Sequence, residues 1–274
     1  MKQLSGTTLL NNGVAMPYFG LGTYKAEGDA VEKAVTAALE LGYRAIDTAS
    51  LYGNEHEVGR AIRTSGLKRE DVFVTTKVWN DDQGYDRTLA AFEKSREALG
   101  LDVIDLYLIH WPGVNKYKET WRALERLHEE GSVRAIGVSN FQIHHLESLM
   151  KDSNTVPAVN QVELHPRLRQ RQLHDFCLLN NIQIQAWAPL MKGKLQDNGT
   201  LTSIARMHGK SVSQVILRWE LQHDIVTIPK SITPSRIKEN SEIFDFNLSQ
   251  EEMNAIDTLD TGERIGRHPD ELEF

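Results

Sequence analysis

The chain contains a single cysteine, Cys177, among its 274 residues. One thiol forms no internal disulfide, which excludes the class of small secreted domains that disulfide frameworks hold together. The spacing of Leu173, Phe176 and Cys177 is helical, and it predicts that the thiol is a buried, unreactive part of a helix core. Because such sparing use of cysteine suits a reducing compartment, we expect a cytoplasmic protein.

Long apolar stretches and an excess of positive charge are also missing. No run approaches the roughly 20 apolar residues of a membrane-spanning helix, and the stretch MKQLSGTTLLNNG has no apolar signal-peptide core. The formal net charge is -7, whereas proteins that bind nucleic acids present a basic surface. We therefore expect neither a membrane nor a nucleic acid as partner, and an anionic ligand would need a local pocket of cations.

No linker, low-complexity segment or shift in composition divides the chain, so we expect one domain over residues 1–274. A short hairpin at residues 6–17 is followed by apolar strand patterns that alternate with helical patterns. The predicted strands span residues 19–22, 45–47, 72–77, 104–110, 133–138, 158–163, 183–187 and 225–229. The predicted helices span residues 30–41, 55–65, 84–99, 117–130, 143–150, 169–180, 200–222 with a break, and 235–244, and a last one starts at the capping box Ser249-Gln-Glu-Glu252.

The alternation of strands and helices indicates the fold class. Strands that are apolar on both faces, each followed by a helix, predict a closed (β/α)8 TIM barrel with an N-terminal β-hairpin and a short C-terminal tail. The alternative is an open, doubly wound sheet. That class usually has a glycine-rich turn after the first strand, and Gly20-Leu-Gly22-Thr-Tyr lacks the third glycine.

Four polar residues follow or end three of the predicted strands: Asp47, Tyr52, Lys77 and His110. The C-terminal face of such a barrel is where active sites are assembled. When hydride adds to a carbonyl carbon, the oxygen becomes negative and needs a proton, which the Tyr52 phenol can supply. A Lys77 ammonium at ~4 Å would contribute roughly 4 kcal/mol to a phenolate, so we expect the pKa of Tyr52 to be lowered.

In this hypothesis Asp47 holds the Lys77 ammonium, and His110 donates to the carbonyl oxygen. Taken alone, each residue also fits a purely structural role as an alternative to catalysis. Asp47 fits a turn cap, Lys77 a solvated strand end, Tyr52 a packing residue and His110 a loop position. A rival enzyme class is a Schiff-base aldolase or lyase with Lys77 as the nucleophile. A third possibility is a dinucleotide-binding relative without turnover.

Longer motifs surround these residues, and through them the whole chain resembles the aldo-keto reductase family. The matching stretches are Gly42-Tyr-Arg-Ala-Ile-Asp47-Thr-Ala-x-x-Tyr52-Gly-Asn-Glu55-x-x-Val58-Gly59, Thr76-Lys77-Val-Trp79, Leu108-Ile-His110-Trp111 and Ile228-Pro-Lys230-Ser231. The resemblance implies a (β/α)8 barrel, NADPH/NADP+ as cofactor and Asp47, Tyr52, Lys77 and His110 as the catalytic set, with Tyr52 as the acid. The bacterial 2,5-diketo-D-gluconic acid reductases and the glyoxal and methylglyoxal reductases are the branch that the chain resembles most.

The resemblance also implies the cofactor contacts. Ser139, Asn140 and Gln161 would hold the nicotinamide carboxamide, which needs both donors and acceptors, unless Ser139 and Asn140 merely form a turn. Trp187 stands where the family often has tyrosine and offers a face for stacking. The other contacts implied at the nicotinamide end are Gly22, Thr23, Asp47, Pro189 and Leu190.

The segment after the last predicted strand has a pattern typical of a phosphate site. The sequence predicts Thr233 as a helix N-cap residue, with Pro234 at the first helical position. Helix N-termini attract phosphates. We expect Lys230, Arg236 and the hydroxyls of Ser231 and Thr233 to surround the 2′-phosphate of NADPH. Ile232, Glu239 and Asn240 complete the implied set, and an ordinary capped helix with solvated charges is the alternative.

The substrate mouth is expected to lie beyond the first four strands, with Tyr52 and His110 at its floor and Tyr24, Trp79, Asn80 and Trp111 along its walls. The short connection 112–117 and the brief tail 267–274 favour an open pocket for small aldehydes and ketones, such as 2-oxoaldehydes and keto-sugar acids. We expect a monomer, with which the alternating charge on the outer helices is compatible. No metal is expected, because His144 and His145 head a helix, where they cap or pack.

Overall fold

The computed structural model describes residues 2–272 and opens with an antiparallel hairpin of β1 (Thr7–Leu9) and β2 (Ala15–Pro17). Eight parallel strands follow, and each of them after the first pairs with the strand before it in the chain. They are β3 (Leu21–Gly22), β4 (Ala45–Asp47), β5 (Phe73–Val78), β6 (Ile104–Ile109), β7 (Val133–Ser139), β8 (Val159–Glu163), β9 (Gln183–Trp187) and β10 (Val226–Thr227).

The first and last of these strands also meet, so the sheet closes on itself. Phe19 bridges Thr227 and Gly22 bridges Lys230, both in parallel orientation, and the Gly20 N–H donates to the Thr227 carbonyl over 3.0 Å. A Cβ atom on Gly22 would lie 2.8 Å from the Ile228 carbonyl oxygen, so the close approach of the first and last strands requires glycine at this position. The predicted (β/α)8 barrel is confirmed, and the doubly wound alternative is wrong.

Ten α-helices within residues 2–272 surround and flank the barrel: α1 (Gly28–Glu40), α2 (Glu55–Thr64), α3 (Tyr85–Leu99), α4 (Tyr117–Glu129), α5 (Ile143–Asp152), α6 (Arg171–Leu179), α7 (Gly199–His208), α8 (Val212–Gln222), α9 (Pro234–Ser241) and α10 (Gln250–Asp257). The predicted break within 200–222 falls at Gly209, whose φ of 62° ends α7. Ser211 then starts α8 with a capping box, and Ser249 starts α10 in the same way, as predicted.

None of the helices within 2–272 combines the length and the apolar composition of a membrane span.

Two apolar clusters hold the barrel together. The larger one lies between the strands and the surrounding helices, and it includes Cys177, which is fully buried. Burial raises the pKa of the Cys177 thiol to about 12, so the thiol is unreactive at neutral pH, as predicted. The smaller cluster fills the inside of the barrel, where Leu10 and Met16 of the hairpin pack against residues such as Phe73 and Leu106. The hairpin therefore closes the end of the barrel opposite the strand C-termini.

Helix α8 carries a carboxyl group that the catalytic hypothesis does not use. Glu220 is fully buried, and burial raises its pKa well above the ordinary range. A carboxyl group whose folded-state pKa exceeds its unfolded value favours folding at low pH, and this contribution is lost as the pH rises towards the folded-state pKa.

We therefore expect Glu220→Gln to raise Tm by roughly 3 °C or more at pH 8, because the parent carboxylate must take up a proton on folding at that pH and an amide needs none. The gain should shrink towards pH 4, where the parent carboxyl group is already protonated. Thermal unfolding of both proteins across this range measures the effect, with the exposed Glu251→Gln as control. A loss of Tm of equal size at every pH would contradict the assignment.

Candidate active site

Three neighbouring strands place the four predicted residues at one end of the barrel. Asp47 is the last residue of β4, Lys77 lies one residue before the end of β5, and His110 directly follows β6. Tyr52 ends a single 3-10 turn at Ser50–Tyr52, which Gly53 terminates with a φ of 63°. Because parallel strands end at the same face, residues that are distant in the chain become neighbours.

Lys77 connects this group. Its Nζ donates to Asp47 Oδ1 over 2.7 Å, to the Thr48 carbonyl over 2.8 Å and to the Tyr52 hydroxyl over 3.5 Å. The Lys77 side chain is fully buried and that of Asp47 nearly so. An ammonium has three N–H donors, and all three have acceptors here. The position of Lys77 is therefore determined by a satisfied, water-excluded ion pair.

The protonation states follow from burial and from this pair. Burial lowers the pKa of Lys77 and raises that of Asp47, and the attraction between the two opposes both shifts. Burial also raises the pKa of Tyr52 well above 10, with a further contribution from the Asp47 charge. The expected lowering of the Tyr52 pKa is therefore wrong, because burial outweighs the nearby ammonium, whose charge Asp47 also offsets at closer range. The Tyr52 hydroxyl keeps its proton at neutral pH.

His110 is the fourth member. Its ring lies edge-on to the rings of Tyr52 and Trp79, with centroids 5.7 and 5.2 Å away. Burial lowers the pKa of His110 well below 6.5, and the charge of Lys77 adds to the shift. The imidazole is therefore neutral, with one N–H to donate. A carbonyl oxygen between His110 and Tyr52 would meet two neutral donors.

A second polar network extends from Asp47 across the barrel. Gln161 Nε2 in β8 donates to Asp47 Oδ2 over 2.6 Å and to Gln185 Oε1 over 2.8 Å. Asn140, which follows β7, accepts a 2.8 Å hydrogen bond from the Trp187 indole N–H. The Ser139 hydroxyl donates to the Gln161 carbonyl over 2.8 Å. The residues implied for the carboxamide are thus adjacent, and their own hydrogen bonds orient them.

A cavity of about 770 Å³ opens above these residues. Its walls contain most of the predicted set: Gly22, Thr23, Tyr24, Asp47, Tyr52, Trp79, Asn80, His110, Trp111, Ser139, Asn140, Gln161, Trp187, Pro189, Leu190 and Lys230. Ten further residues were not predicted: Lys25, Leu51, Ala188, Lys192, Ile228, Pro229, Ile265, Gly266, Arg267 and Leu272. The cavity therefore unites the proposed acid, the polar amides and several cations.

The remaining predicted cofactor residues lie beyond this cavity, in the segment that runs from Lys230 into α9: Ser231, Ile232, Thr233, Arg236, Glu239 and Asn240. Thr233 is the N-cap residue of α9, as predicted, but its side chain makes no capping hydrogen bond. The Ser231 hydroxyl instead accepts the Thr233 N–H over 3.1 Å. Lys230 and Arg236 are both exposed. A helix N-terminus with two solvent-facing cations is a chemically suitable place for a phosphate.

The C-terminal segment differs from the expectation of a short tail beside an open pocket. Ile265, Gly266, Arg267 and Leu272 form part of the cavity wall. The segment is held by Glu163, the last residue of β8, whose carboxylate accepts both the Ile265 and the Gly266 N–H. The sequence carries no local signal for this contact, because it joins residues about one hundred positions apart.

His144, His145 and Asp270 form the group that comes nearest to a metal-ligand arrangement in the described part of the chain. His145 Nδ1 accepts the Gln142 N–H over 3.1 Å in a capping box, which confirms the predicted capping role. A neutral His145 therefore carries its proton on Nε2, the nitrogen that lies 3.6 Å from Asp270. That nitrogen has no free lone pair for a metal, and the contact instead ties the tail to α5.

With this geometry in view, the comparisons with known proteins identify the class. The profile of the Aldo/keto reductase family matches residues 18–261. The chain is 61% identical to a glyoxal reductase of Bacillus subtilis over 272 residues, with 99% of both chains covered. It is 44% identical over 267 residues to the methylglyoxal reductase DkgA of Escherichia coli, with 96% of each covered. The chain belongs to the aldo/keto reductase family.

Among solved structures, a mutant of Gox0644 in complex with NADPH superposes with a TM-score of 0.94. It is 42% identical in sequence, and the match covers 98% of each chain. Likeness at this level extends over the whole barrel, including the end that carries Asp47, Lys77 and His110.

The Lys77–Asp47 pair can be tested through stability. Lys77→Met leaves the Asp47 carboxylate buried without its partner, a change that costs about 3–5 kcal/mol. We expect Tm to fall by roughly 6 °C or more at pH 7. The loss should be smaller at low pH, because burial raises the pKa of Asp47 and a protonated Asp47 needs no counter-charge. In thermal unfolding, the double variant with Asp47→Asn should be more stable than Lys77→Met alone, and equal Tm values would contradict the pairing.

Proposed function

We propose that the protein reduces small aldehydes and ketones to alcohols with NADPH, and that Tyr52 is the general acid. The observation that carries the proposal is the chain of contacts Asp47–Lys77–Tyr52, in which the buried ion pair lies behind a half-buried phenol at the floor of the cavity, beside the neutral His110. Membership of the aldo/keto reductase family supports the reaction class. The name of the glyoxal reductase relative and the NADPH complex of a structural relative support the substrate and the cofactor.

The residues present suit the cofactor. The exposed cations Lys230 and Arg236, with the Ser231 and Thr233 hydroxyls, would bind the 2′-phosphate, and charge-assisted hydrogen bonds are the strong ones. Ile232, Glu239 and Asn240 would lie along the adenosine. Gly22, Thr23, Pro189 and Leu190 would line the path towards Ser139, Asn140, Gln161 and Trp187 at the nicotinamide. A bound NADPH would supply the hydride.

The protein's own groups would supply the proton and orient the carbonyl. The carbonyl oxygen would accept hydrogen bonds from the Tyr52 hydroxyl and from the His110 imidazole, both of which are neutral donors. As negative charge develops on that oxygen, the Tyr52 proton transfers to it. The Lys77 ammonium, 3.5 Å from the phenol oxygen, then stabilises the phenolate that forms. Asp47 keeps the ammonium charged and in place.

This mechanism does not need a phenol that is acidic in the resting enzyme. The raised pKa of Tyr52 keeps its proton available in the ground state. The electrostatic contribution of Lys77 becomes important only when the phenol loses its proton. Interactions that strengthen in the transition state are the ones that accelerate a reaction.

The substrates that we propose are 2-oxoaldehydes and keto-sugar acids. Tyr24, Trp79, Asn80 and Trp111 line the cavity beside Tyr52 and would form the walls of the substrate site. Aromatic walls with few polar groups suit a small carbonyl compound. We further propose a single-domain, cytoplasmic monomer, which fits the single buried cysteine and the continuous barrel.

The Schiff-base alternative has a specific observation against it. A nucleophilic lysine must lose its proton and reach the substrate. Lys77 is fully buried and directs its three donors at Asp47, the Thr48 carbonyl and Tyr52. This arrangement favours the ammonium form, so Lys77 suits an electrostatic role.

Tyr52→Phe tests the acid. We expect kcat to fall by about 10²-fold or more, because general-acid catalysis contributes factors of this size. The affinity for NADPH should stay within about 2-fold, since the phenol contributes no phosphate contact. Substrate-dependent oxidation of NADPH and a cofactor titration measure the two quantities.

Tyr24→Phe is the matched control, because Tyr24 lines the same cavity with its ring centroid 5.0 Å from that of Tyr52. Equal turnover by Tyr52→Phe and the parent would remove Tyr52 from its role. A protein that binds NADPH but reduces no carbonyl compound, in either form, would point to the non-catalytic relative.

Arg236→Ala tests the phosphate site. The loss of one charge-assisted contact should weaken NADPH binding by about 10- to 100-fold and leave NADH binding unchanged. Lys238→Ala on the same helix is the control, because Lys238 lies 3.7 Å from Glu242 and is itself exposed. An unchanged preference for NADPH over NADH in Arg236→Ala would contradict the assignment.

A further inference from the structure

Glu163 is a buried carboxylate that the proposed reaction does not use. One of its oxygens accepts the Ile265 N–H over 2.6 Å, and the other accepts the Gly266 N–H over 3.0 Å. His165 Nε2 lies 3.0 Å from the first oxygen. Burial works against the charge of Glu163, but His165 and the two backbone donors outweigh it and hold the pKa of Glu163 below its usual value. The carboxylate is therefore charged and binds the tail through two charge-assisted hydrogen bonds.

These bonds press the tail backbone against Trp187. A Cβ atom on Gly266 would lie 2.6 Å from Cη2 of the Trp187 ring and 2.9 Å from the Glu163 carboxylate. Only glycine fits this approach without displacing the ring or the tail. Glu163 and Trp187 are direct partners in the pairing of β8 with β9, so the carboxylate and the indole belong to the same rigid part of the sheet.

The indole is held from its other side as well. Its N–H donates to Asn140 Oδ1 over 2.8 Å, and the benzo edge of the ring faces Gly266. Trp187 and Gly266 both line the cavity. The orientation of the ring in the cavity therefore depends on two constraints: the hydrogen bond that the indole donates to Asn140 and the tail backbone that Glu163 fixes.

We propose that Glu163 is a positioning residue, which holds the Ile265–Gly266 backbone against Trp187 and so fixes the aromatic face that the nicotinamide end of the cofactor stacks on. The inference rests on the proposed function, because it needs a nicotinamide cofactor in this cavity. A ring held before the cofactor arrives loses little freedom on binding, and such preorganisation increases affinity. Without the carboxylate, the two N–H groups lose their acceptors, the tail moves away and the ring becomes mobile.

Two variants release the ring in different ways. Glu163→Gln replaces one acceptor oxygen with an NH2 group that opposes a backbone N–H. Gly266→Ala keeps the carboxylate but inserts a methyl group where the ring and the tail touch. We expect both to raise the Kd for NADPH by about 5-fold or more, with kcat at saturating NADPH within about 3-fold of the parent. Glu263→Gln, an exposed carboxylate in the same segment, is the control and should match the parent.

A double-mutant cycle separates this role from a merely structural one. If Glu163 acts through the ring, Glu163→Gln should change the Kd for NADPH by less than about 2-fold in a Trp187→Phe background. If the carboxylate only supports the fold, the effects of the two substitutions should add. Tryptophan fluorescence gives a second readout: Glu163→Gln should alter the emission spectrum in the parent and leave it unchanged in Trp187→Phe.

Each of these measurements either supports or overturns the positioning role of Glu163. Additive effects on Kd, or variants with the parent's Kd for NADPH, would overturn the positioning role while leaving the proposed function intact. Should Glu163→Gln fail to fold, Gly266→Ala carries the same cycle with Trp187→Phe. A parent protein that binds no NADPH would instead overturn the proposed function itself.

Discussion

The site depends on one ion pair between two buried side chains. An ammonium can lie inside a barrel only if its charge is balanced and its donors are satisfied. Lys77 meets this condition with Asp47, the Thr48 carbonyl and Tyr52. The pair places the phenol beside a positive charge without exposing that charge to water. The positions of the other groups at the cavity floor follow from it.

From Asp47 the polar contacts continue around the barrel. Its second oxygen accepts from Gln161, which also donates to Gln185, so strands β4, β5, β8 and β9 share one network. A network that is fully hydrogen-bonded in a dry interior is rigid. This rigidity explains how short strands, two of them of only two residues, can hold the polar groups of the cavity floor in place. The hairpin closes the opposite end of the barrel with apolar side chains, so the polar and the packed ends are separate.

Burial disfavours the charged form of all four groups, but only Lys77 and Asp47 have a counter-charge that opposes it. Burial keeps the Tyr52 phenol protonated and the His110 imidazole uncharged, because each would need an unpaired charge to ionise. Lys77 and Asp47 remain charged only because they lie within 2.7 Å of each other. The cavity floor therefore offers two neutral hydrogen-bond donors with a cation directly behind one of them. That combination suits the reduction of a carbonyl group, where charge appears on oxygen only during the reaction.

The strands and the four polar residues were predictable because each depends on local pattern. Apolar runs such as residues 104–109 end at a polar residue, and the closed barrel then brings these ends together, as in β4, β5 and β6. The helix bounds were predicted to within a few residues, because capping residues such as Ser249 act on their own turn. The pKa of Tyr52 was not predictable in this way. It depends on the balance of burial against two opposite charges, and that balance exists only once the chain has folded.

The sequence by itself determined the order of the elements, the closed barrel and the identity of the polar groups at its open end, since periodicity and turn chemistry operate over short stretches of chain. Tertiary structure alone decided that the Glu163 carboxylate accepts hydrogen bonds from the Ile265 and Gly266 N–H groups and that Gly266 contacts Trp187. Backbone N–H groups are the same in every residue, so no side-chain pattern marks which of them a distant carboxylate will bind.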